Sequence, residues 1–348
     1  MPSFLIELLQ VSLGTRETLS RIPKESEWIL VLNEMFRQMI IGVFADGLDR
    51  IPQEYRPSKL TLLPWIGSIQ KVEESTQLNL DRTRELVSLV LKAGYKNCVL
   101  KGVAMALYYP EPLHRQCGDI DLWVNGKRKD VMMSLRAKGW QTSHILWHTV
   151  NANVFEDVLV EIHFHPAWLW NPWHNKRLQR FFESHKEKMM ADEDERLGFA
   201  RPTVEFDAVF SLVHTFRHFV AEGVALRHIV DYFYIMRKLR EGDDDVLHHT
   251  SYIIIHQLGM GKFAGAMMWV LSYVCGMPRE CLLCEPNEKE GRFLLKEITQ
   301  GRNPEDSGTD GIWARYWMMA KHYPTEVLWM MPWKIWHRWW RARYRGGE

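Results

Sequence analysis

The sequence predicts an α/β (α+β) fold in which a small mixed sheet is flanked by helical segments on both sides. Short apolar runs of strand length alternate with helical runs between residues 81 and 165. Outside this stretch, apolar residues recur mainly at helical spacing. We expect a helical segment over residues 1–74, the sheet-containing core over residues 75–166, and a helical domain over residues 167–348 that ends in a basic, tryptophan-rich tail.

Composition is typical of a folded globular protein with a sizeable core. The 348 residues are 46% hydrophobic and 25% charged, with a formal net charge of +1. A molecule so nearly neutral has no overall attraction for nucleic acid or acidic membranes, so any such contact must be local. Five cysteines, no secretory signal and no apolar run of ~18 residues predict a reducing, cytoplasmic location.

Residues 27–41 carry apolar side chains at helical spacing and predict a helix. The chain is then expected to be broken by three prolines, Pro52, Pro57 and Pro64. A second helix is predicted over residues 81–93, with Gly94 as its C-cap.

The predicted core alternates strands and helices. Its order is strand 98–100, helix 103–108, strand 120–124, helix 127–138, and strands 141–150 and 158–165. After Pro166 the pattern becomes helical, and helices are predicted over residues 175–197, 205–240 and 250–274 and from residue 294 onward.

An Asp-x-Asp pair lies on the second strand. Side chains alternate faces along a strand, so Asp119 and Asp121 share one face, and Ile120, Leu122 and Val124 face a core. Two carboxylates ~7 Å apart repel each other, and a hard cation such as Mg²⁺ removes that repulsion. The same pattern also fits a solvated strand edge without function.

A third acid, Glu161, interrupts a later apolar strand and shares a face with His163 and His165. If that strand lies beside the first, Glu161 completes a cluster of three carboxylates. Such a cluster can hold two metals roughly 3.5–4 Å apart, as in displacement at phosphorus. His163 is the best candidate for a general base, and a structural histidine is the alternative.

A glycine turn precedes the acids. Lys101 and Gly102 join the first strand to a helix, and a helix N-terminus with a nearby lysine suits phosphate. Arg115 is a second cation within reach of a triphosphate, and Gly118 precedes the first acid. The alternatives are a simple strand–helix turn and a surface arginine.

Together these segments resemble the DNA polymerase β-like nucleotidyltransferase superfamily, and most closely its bacterial family of uncharacterised nucleotidyltransferases. The resemblance rests on Leu100-Lys101-Gly102, Tyr109-Pro110, Arg115, Gly118-Asp119-Ile120-Asp121-Leu122 and Val160-Glu161-Ile162-His163, and more weakly on His214, Glu222-Gly223, Arg227 and Asp231. The turn lacks the serine usual in the superfamily and is similar to the Lys-Gly turn of abortive-infection nucleotidyltransferase toxins.

The resemblance implies transfer of a nucleoside monophosphate from a nucleoside triphosphate, such as ATP, to a hydroxyl acceptor. Asp119 and Asp121 would bind the nucleotide-bound Mg²⁺ (or Mn²⁺), and Glu161 would join them at the catalytic metal. The acceptor can be a small molecule, a protein or RNA. Two alternatives remain: a toxin of the same fold that modifies tRNA, and a non-catalytic nucleotide-binding or interaction protein.

Polar residues on the later helices have two interpretations. His214 and His218 share one helix face, as do Arg227 and Asp231, because each pair is four residues apart. In the first interpretation these residues form the floor of a substrate pocket, as a second shell around the acids. In the second, the histidines only pack in the core, and Arg227 and Asp231 form an ion pair within one helix.

The tail over residues 333–345 contains five Lys or Arg residues and no acid, with aromatic residues between them. It predicts a helix that packs its tryptophans on the domain, or a weak contact with a membrane surface or RNA.

Cys281 and Cys284 form half of a zinc pattern without a second Cys-x-x-Cys.

Overall fold

The computed structural model of the protein describes residues 3–191, 193–194, 196–242, 244–300 and 309–345. No helix within these ranges is long and apolar enough to cross a membrane. The helices are α1 (Ser3–Leu13), α2 (Glu25–Arg37), α3 (Ile41–Leu48), α4 (Lys59–Lys92), α5 (Val103–Ala106), α6 (Arg128–Ala137), α7 (Pro172–Ala191), α8 (Val204–Ala221), α9 (Leu226–Arg240), α10 (Asp244–Tyr252), α11 (Gly261–Cys275), α12 (Glu288–Gln300), α13 (Thr309–His322), α14 (Pro324–Val327) and α15 (Met330–Arg345).

A mixed five-stranded sheet forms the core and confirms the predicted fold class. Its strands are β1 (Asn97–Val99), β2 (Ile120–Val124), β3 (Gln141–Ser143), β4 (Thr149–Asn153) and β5 (Val160–His163), in the order β1-β2-β5-β4-β3. Only β2 and β5 pair in parallel among these strands. A short hairpin, β6 (Glu193–Asp194) and β7 (Phe199–Ala200), forms a separate two-stranded sheet.

Both faces of the interior strand β2 are buried, and its apolar face is the one that the alternating pattern predicts. Ile120, Leu122 and Val124 pack in one apolar core with residues of α4 and α6. On the opposite face Trp123 stacks on Phe206 of α8, with ring centres 5.8 Å apart. The sheet is therefore sandwiched between two helical layers, and Asp121 faces the layer that contains α8.

Three predicted elements differ from the structure because the chain turns within them. The strand predicted over residues 141–150 is two strands, since His144 adopts a left-handed φ of 47° between them. The helix predicted over residues 205–240 is α8 and α9, which are separated at Gly223, where φ is 122°. The helix predicted over residues 250–274 is interrupted at Gly259, where φ is 65°.

The prediction that Pro64 breaks the chain is wrong, because Pro64 lies inside the 34-residue helix α4. Proline removes one hydrogen bond near the start of the helix, and later turns bury Ile69, Val72 and Val87 against the protein. Helix α4 also continues through residues 74 and 75, where the first segment was predicted to end. The division into three segments remains a prediction.

Asp207 is a buried carboxyl where α8 meets the core. Its side chain accepts a hydrogen bond of 2.8 Å from the hydroxyl of Tyr108. Burial raises the pKa of Asp207 to about 8. An unfolded aspartate titrates near ~3.9, so the folded state holds this proton more tightly. The stability due to Asp207 is therefore fully present below about pH 4 and is lost as pH rises towards about 8.

We expect Asp207→Asn to be more stable than wild type at about pH 9, because asparagine avoids ionising a buried group. The difference in melting temperature should shrink steadily towards about pH 5. Asp81→Asn, at a side chain that is 60% exposed, is the matched control and should show little dependence on pH. A difference for Asp207→Asn that stays constant across this range would contradict the assignment.

Candidate active site

A cavity of about 820 Å³ lies between the sheet and the later helices. The sheet side carries the Lys101-Gly102 turn and the acids of β2 and β5. Helices α8 and α9 form the opposite wall. The ends of α2 and α12 also border the cavity, where Gln38 Nε2 donates to the carbonyl of Ile298. Segments far apart in the sequence thus enclose one polar space.

The parallel pairing of β2 with β5 places Asp121 directly opposite Glu161. This confirms the expectation that the two strands are neighbours. Asp119 immediately precedes β2 and lines the same cavity. Asp121 chiefly raises the pKa of Asp119, and burial raises it further. The three predicted acids therefore meet at one wall of the cavity, where their negative charges interact.

Asp121 is held by two neighbouring cationic side chains. Lys101 Nζ lies 2.8 Å from Asp121 Oδ1, and His163 Nε2 lies 2.7 Å from the same oxygen. Burial raises the pKa of Asp121, but Lys101 and His163 outweigh it and hold that pKa below its usual range.

His163 is protonated in this arrangement. Burial lowers its pKa, but the hydrogen bonds to Asp121 and Glu161 raise it, to about 9. His163 therefore serves as a donor that orients Asp121.

The donor set fits a divalent cation. Ligand atoms of Asp121, Glu161 and His163 all lie within 4.8 Å of one another. Asp121 Oδ2 is buried and has no hydrogen-bond partner within the described residues, so it is free to coordinate. His163 already lies within hydrogen-bond distance of Asp121, so the carboxylate oxygens, which Mg²⁺ prefers, are the atoms best placed to hold a cation.

The Lys101-Gly102 turn needs glycine. Gly102 adopts φ 57° and ψ −120° at the N-terminus of the short helix α5. A Cβ atom there would lie 3.3 Å from the carbonyl oxygen of Asp119. The turn therefore packs directly against the chain that carries the first acid.

We expect Gly102→Ala to destabilise the protein by roughly 1–2 kcal/mol, because an L side chain is strained at this φ. Chemical denaturation is the measurement. Gly94→Ala is the matched control, since Gly94 also has a positive φ, of 88°, but nothing within 4 Å of an added Cβ. If both variants lose equal stability, then the contact between the added Cβ and Asp119 does not contribute to the destabilisation of Gly102→Ala.

Arg115 lies beneath the turn and is buried. It forms a bidentate ion pair with Asp231 of α9, at 2.8 and 2.9 Å, and donates to the carbonyl of Gly102 at 3.1 Å. The Tyr109 hydroxyl also donates to Asp231, at 2.7 Å. Arg115 thus connects the glycine turn to the helical wall.

The helical wall brings together the polar residues predicted on the later helices. His214 Nε2 lies 3.1 Å from both Lys101 Nζ and His218 Nε2. Burial, together with Lys101, lowers the pKa of His214 well below its ordinary value, so this imidazole is neutral and can accept from the lysine. Arg227 donates to the carbonyl of Gln116 at 3.0 Å, and hydrogen bonds join Asp231 to Arg115.

The chain was compared with known proteins. A family described as "Uncharacterised nucleotidyltransferase" matches residues 24–275, more than half of the chain. The chain belongs to this family. No curated protein matches the sequence significantly. The family match contains the sheet, the acids and the α8–α9 wall, whereas α12 to α15 lie beyond it.

The cavity also contains an arginine that the sequence patterns did not indicate. Arg217 of α8 lines the cavity, with its guanidinium carbon 3.9 Å from the ring centre of Trp168. Its place three residues after His214 was the available signal, because that spacing puts both residues on one helix face.

Other predicted candidates lie away from the acids. His165 stacks on Trp147 with ring centres 4.2 Å apart, and burial lowers the pKa of His165 to about 4. All five cysteines are free. Among the described residues, the cysteines contribute to no cluster that could hold a metal.

The C-terminal helix α15 packs on the rest of the protein through one face. Trp333 stacks on Trp168 at 3.8 Å between ring centres, and His337 Nε2 accepts from the backbone N–H of Trp147. Arg128 lies between Phe164 and Trp340. The prediction that tail tryptophans pack on the domain is confirmed for this face. The side chain of residue 345, the last of the predicted tail, lies outside the described part.

Proposed function

We propose that the protein transfers a nucleoside monophosphate from a nucleoside triphosphate to a hydroxyl acceptor, with Mg²⁺ or Mn²⁺ held by Asp119, Asp121 and Glu161. The observation that carries this proposal is the pairing of Asp121 with Glu161 on parallel strands, with an unpartnered buried oxygen on Asp121. Membership of a nucleotidyltransferase family supports it independently. Bound metal would neutralise phosphate charge and lower the pKa of the attacking hydroxyl.

The chain's own residues position the reactants. The acceptor oxygen forms a new bond to the α-phosphorus, the bond to the bridging oxygen breaks, and pyrophosphate leaves. Lys101 and the backbone of Gly102 form the cationic turn that would face the phosphates. His163 fixes Asp121 through its 2.7 Å hydrogen bond, and Arg115, which Asp231 holds in place, fixes the turn by donating to the carbonyl of Gly102. These roles, and a two-metal arrangement, are parts of the proposal.

A labelled-transfer assay tests this function. Full-length protein is incubated with Mg²⁺ or Mn²⁺, a host lysate as the source of acceptor, and each nucleoside triphosphate labelled at either the α- or the γ-phosphate. The proposal predicts acid-stable transfer of the α label alone. Transfer of the γ label would establish a kinase-like reaction instead. Specific ATP binding without transfer would favour the non-catalytic alternative.

The exposed face of α15 supports a contact with an anionic membrane surface rather than RNA. Ile335, Trp336 and Trp339 are 66%, 39% and 54% exposed on one side of the helix. Exposed Lys334 and Arg338 flank them, and residues 327–345 contain no acid. Isoleucine adds apolar area for lipid but offers no ring for a base to stack on, so the face suits a headgroup–acyl boundary.

We expect the full chain to float with vesicles that contain phosphatidylserine and to remain unbound to neutral phosphatidylcholine vesicles. Replacing Ile335 and Trp339 with Ser should abolish flotation, because the buried apolar area is lost. Leu328→Ser, at an exposed leucine before α15, is a control for loss of one exposed apolar side chain. Binding to single-stranded RNA but not to vesicles would contradict this assignment.

A further inference from the structure

Arg217 is a cation in the cavity wall that forms no close ion pair with a described residue, and Glu222 and Glu161 attract it only from a longer distance. Its guanidinium stacks on Trp168, and its Nε atom is buried without a hydrogen-bond partner in the described part of the chain. Neither a hydrogen bond nor an ion pair joins Arg217 to another described residue. A partly buried charge with an unpartnered N–H group is poorly solvated, and a ligand anion would supply the missing partner.

Two further polar groups without partners lie in the same part of the cavity. His148 Nδ1 and Thr149 Oγ1 are buried, and within the described residues neither has a hydrogen-bond partner. Both residues line the cavity, and the His148 ring centre lies 6.0 Å from that of Trp168. Burial and Arg217 hold the pKa of His148 well below its usual value, so the imidazole is neutral. A guanidinium, a neutral imidazole and a hydroxyl form a donor set for an oxyanion.

This group of donors lies on the Glu161 side of the acids. Thr149 of β4 is in register with His163 of β5, two residues beyond Glu161. The Lys101-Gly102 turn is instead joined to β2 through Lys101 and Asp121. Strand β5, which carries Glu161, lies between β2 and β4 in the sheet. The glycine turn therefore lies on the β2 side of β5, and a second region with His148, Thr149 and Arg217 lies on the β4 side. If the turn takes the triphosphate, the second region faces the other substrate.

We propose that Arg217, with His148 and Thr149, binds an anionic group of the acceptor, so that the acceptor is a hydroxyl compound that also carries a phosphate or a carboxylate. This inference rests on the proposed function, because it assumes that the triphosphate occupies the glycine turn. It narrows the acceptor to anionic molecules and makes Arg217 the residue that selects them.

Isothermal titration of the full chain tests this inference. The protein is first saturated with Mg²⁺ and α,β-methylene-ATP, which cannot transfer its nucleotide, and is then titrated with inorganic phosphate or with acetate. We expect one further oxyanion site in wild type. Arg217→Gln should weaken that site by roughly tenfold or more, with analogue affinity changed by less than about twofold. Lys101→Gln should instead weaken binding of the analogue and leave the oxyanion affinity nearly unchanged. Whichever of phosphate and acetate binds more tightly indicates the anionic group of the acceptor.

Stability measurements separate binding from folding. Arg217→Gln should melt no lower than wild type, because it removes an unpaired buried charge. Arg217→Lys, which keeps the charge but not the planar fork, should retain part of the anion affinity. Unchanged anion binding in Arg217→Gln, or a loss of analogue affinity as large as that in Lys101→Gln, would overturn the inference. Failure of wild type to bind the analogue would instead refute the proposed function, and titration of phosphate alone would still test Arg217.

Discussion

Asp121→Asn should lower nucleotidyl transfer by roughly three orders of magnitude, the largest effect on activity that we expect. Asparagine keeps the shape of the side chain but removes the charge of the oxygen that has no hydrogen-bond partner in the described ranges of the chain. It also ends the attraction that holds Lys101 and His163 around that side chain. Loss of a carboxylate that binds a catalytic metal costs several kcal/mol of transition-state stabilisation, which corresponds to this factor.

The measurement is the rate of α-label transfer at saturating Mg²⁺ and nucleotide. Asp157→Asn is the matched control, because Asp157 precedes β5 but pairs with Arg82 on the surface. Near-ultraviolet circular dichroism of both variants checks that the fold is intact. If folded Asp121→Asn kept more than about a tenth of wild-type activity, Asp121 would not be a metal ligand.

Asp231→Ala should destabilise the protein by about 3–5 kcal/mol, the largest effect on stability that we expect. It leaves the buried guanidinium of Arg115 without its bidentate partner and removes the acceptor of the Tyr109 hydroxyl. Removal of one member of a buried ion pair is expensive, because the remaining charge stays in a poorly solvated site.

Urea unfolding provides the measurement, with Glu285→Ala as the control. Glu285 pairs with Arg279 at 3.1 Å, but the two side chains are 88% and 82% exposed, so that loss should stay below about 1 kcal/mol. The double variant Arg115→Met/Asp231→Leu should recover part of the stability, because both buried charges are gone. Equal losses in Asp231→Ala and Glu285→Ala would show that the buried pair contributes no more than a surface one.

Local patterns in the sequence were enough to predict the sheet side of the site. The alternation around Asp121 correctly separates the buried apolar face of β2 from the face with the acids, because side chains alternate along a strand. Glu161 was expected to complete the cluster if its strand lay beside that of Asp121. The strand pairing has the two residues opposite each other.

The helical wall could not be predicted in the same way, because its contacts join residues far apart in the chain. Asp231 lies four residues after Arg227, which suggested an ion pair within one helix, yet its hydrogen bonds join it to Arg115, 116 residues away. Arg217 belonged to no recognised motif, and only tertiary packing shows that it faces the cavity. Residues at positive φ, such as His144, likewise end a strand or helix where the apolar pattern alone predicted one continuous element.

Paramagnetic resonance of Mn²⁺ bound with α,β-methylene-ATP tests the central claim most directly, that Asp119, Asp121 and Glu161 hold the metal of a nucleoside triphosphate. The account predicts that wild type binds the Mn²⁺–analogue complex, with hyperfine coupling from Mn²⁺ to phosphorus, and that Asp119→Asn and Asp121→Asn weaken this binding by roughly tenfold or more. Asp157→Asn should bind as wild type does. Equally tight binding of the Mn²⁺–analogue complex by Asp119→Asn, Asp121→Asn and wild type would contradict the account, because the metal would then lie elsewhere.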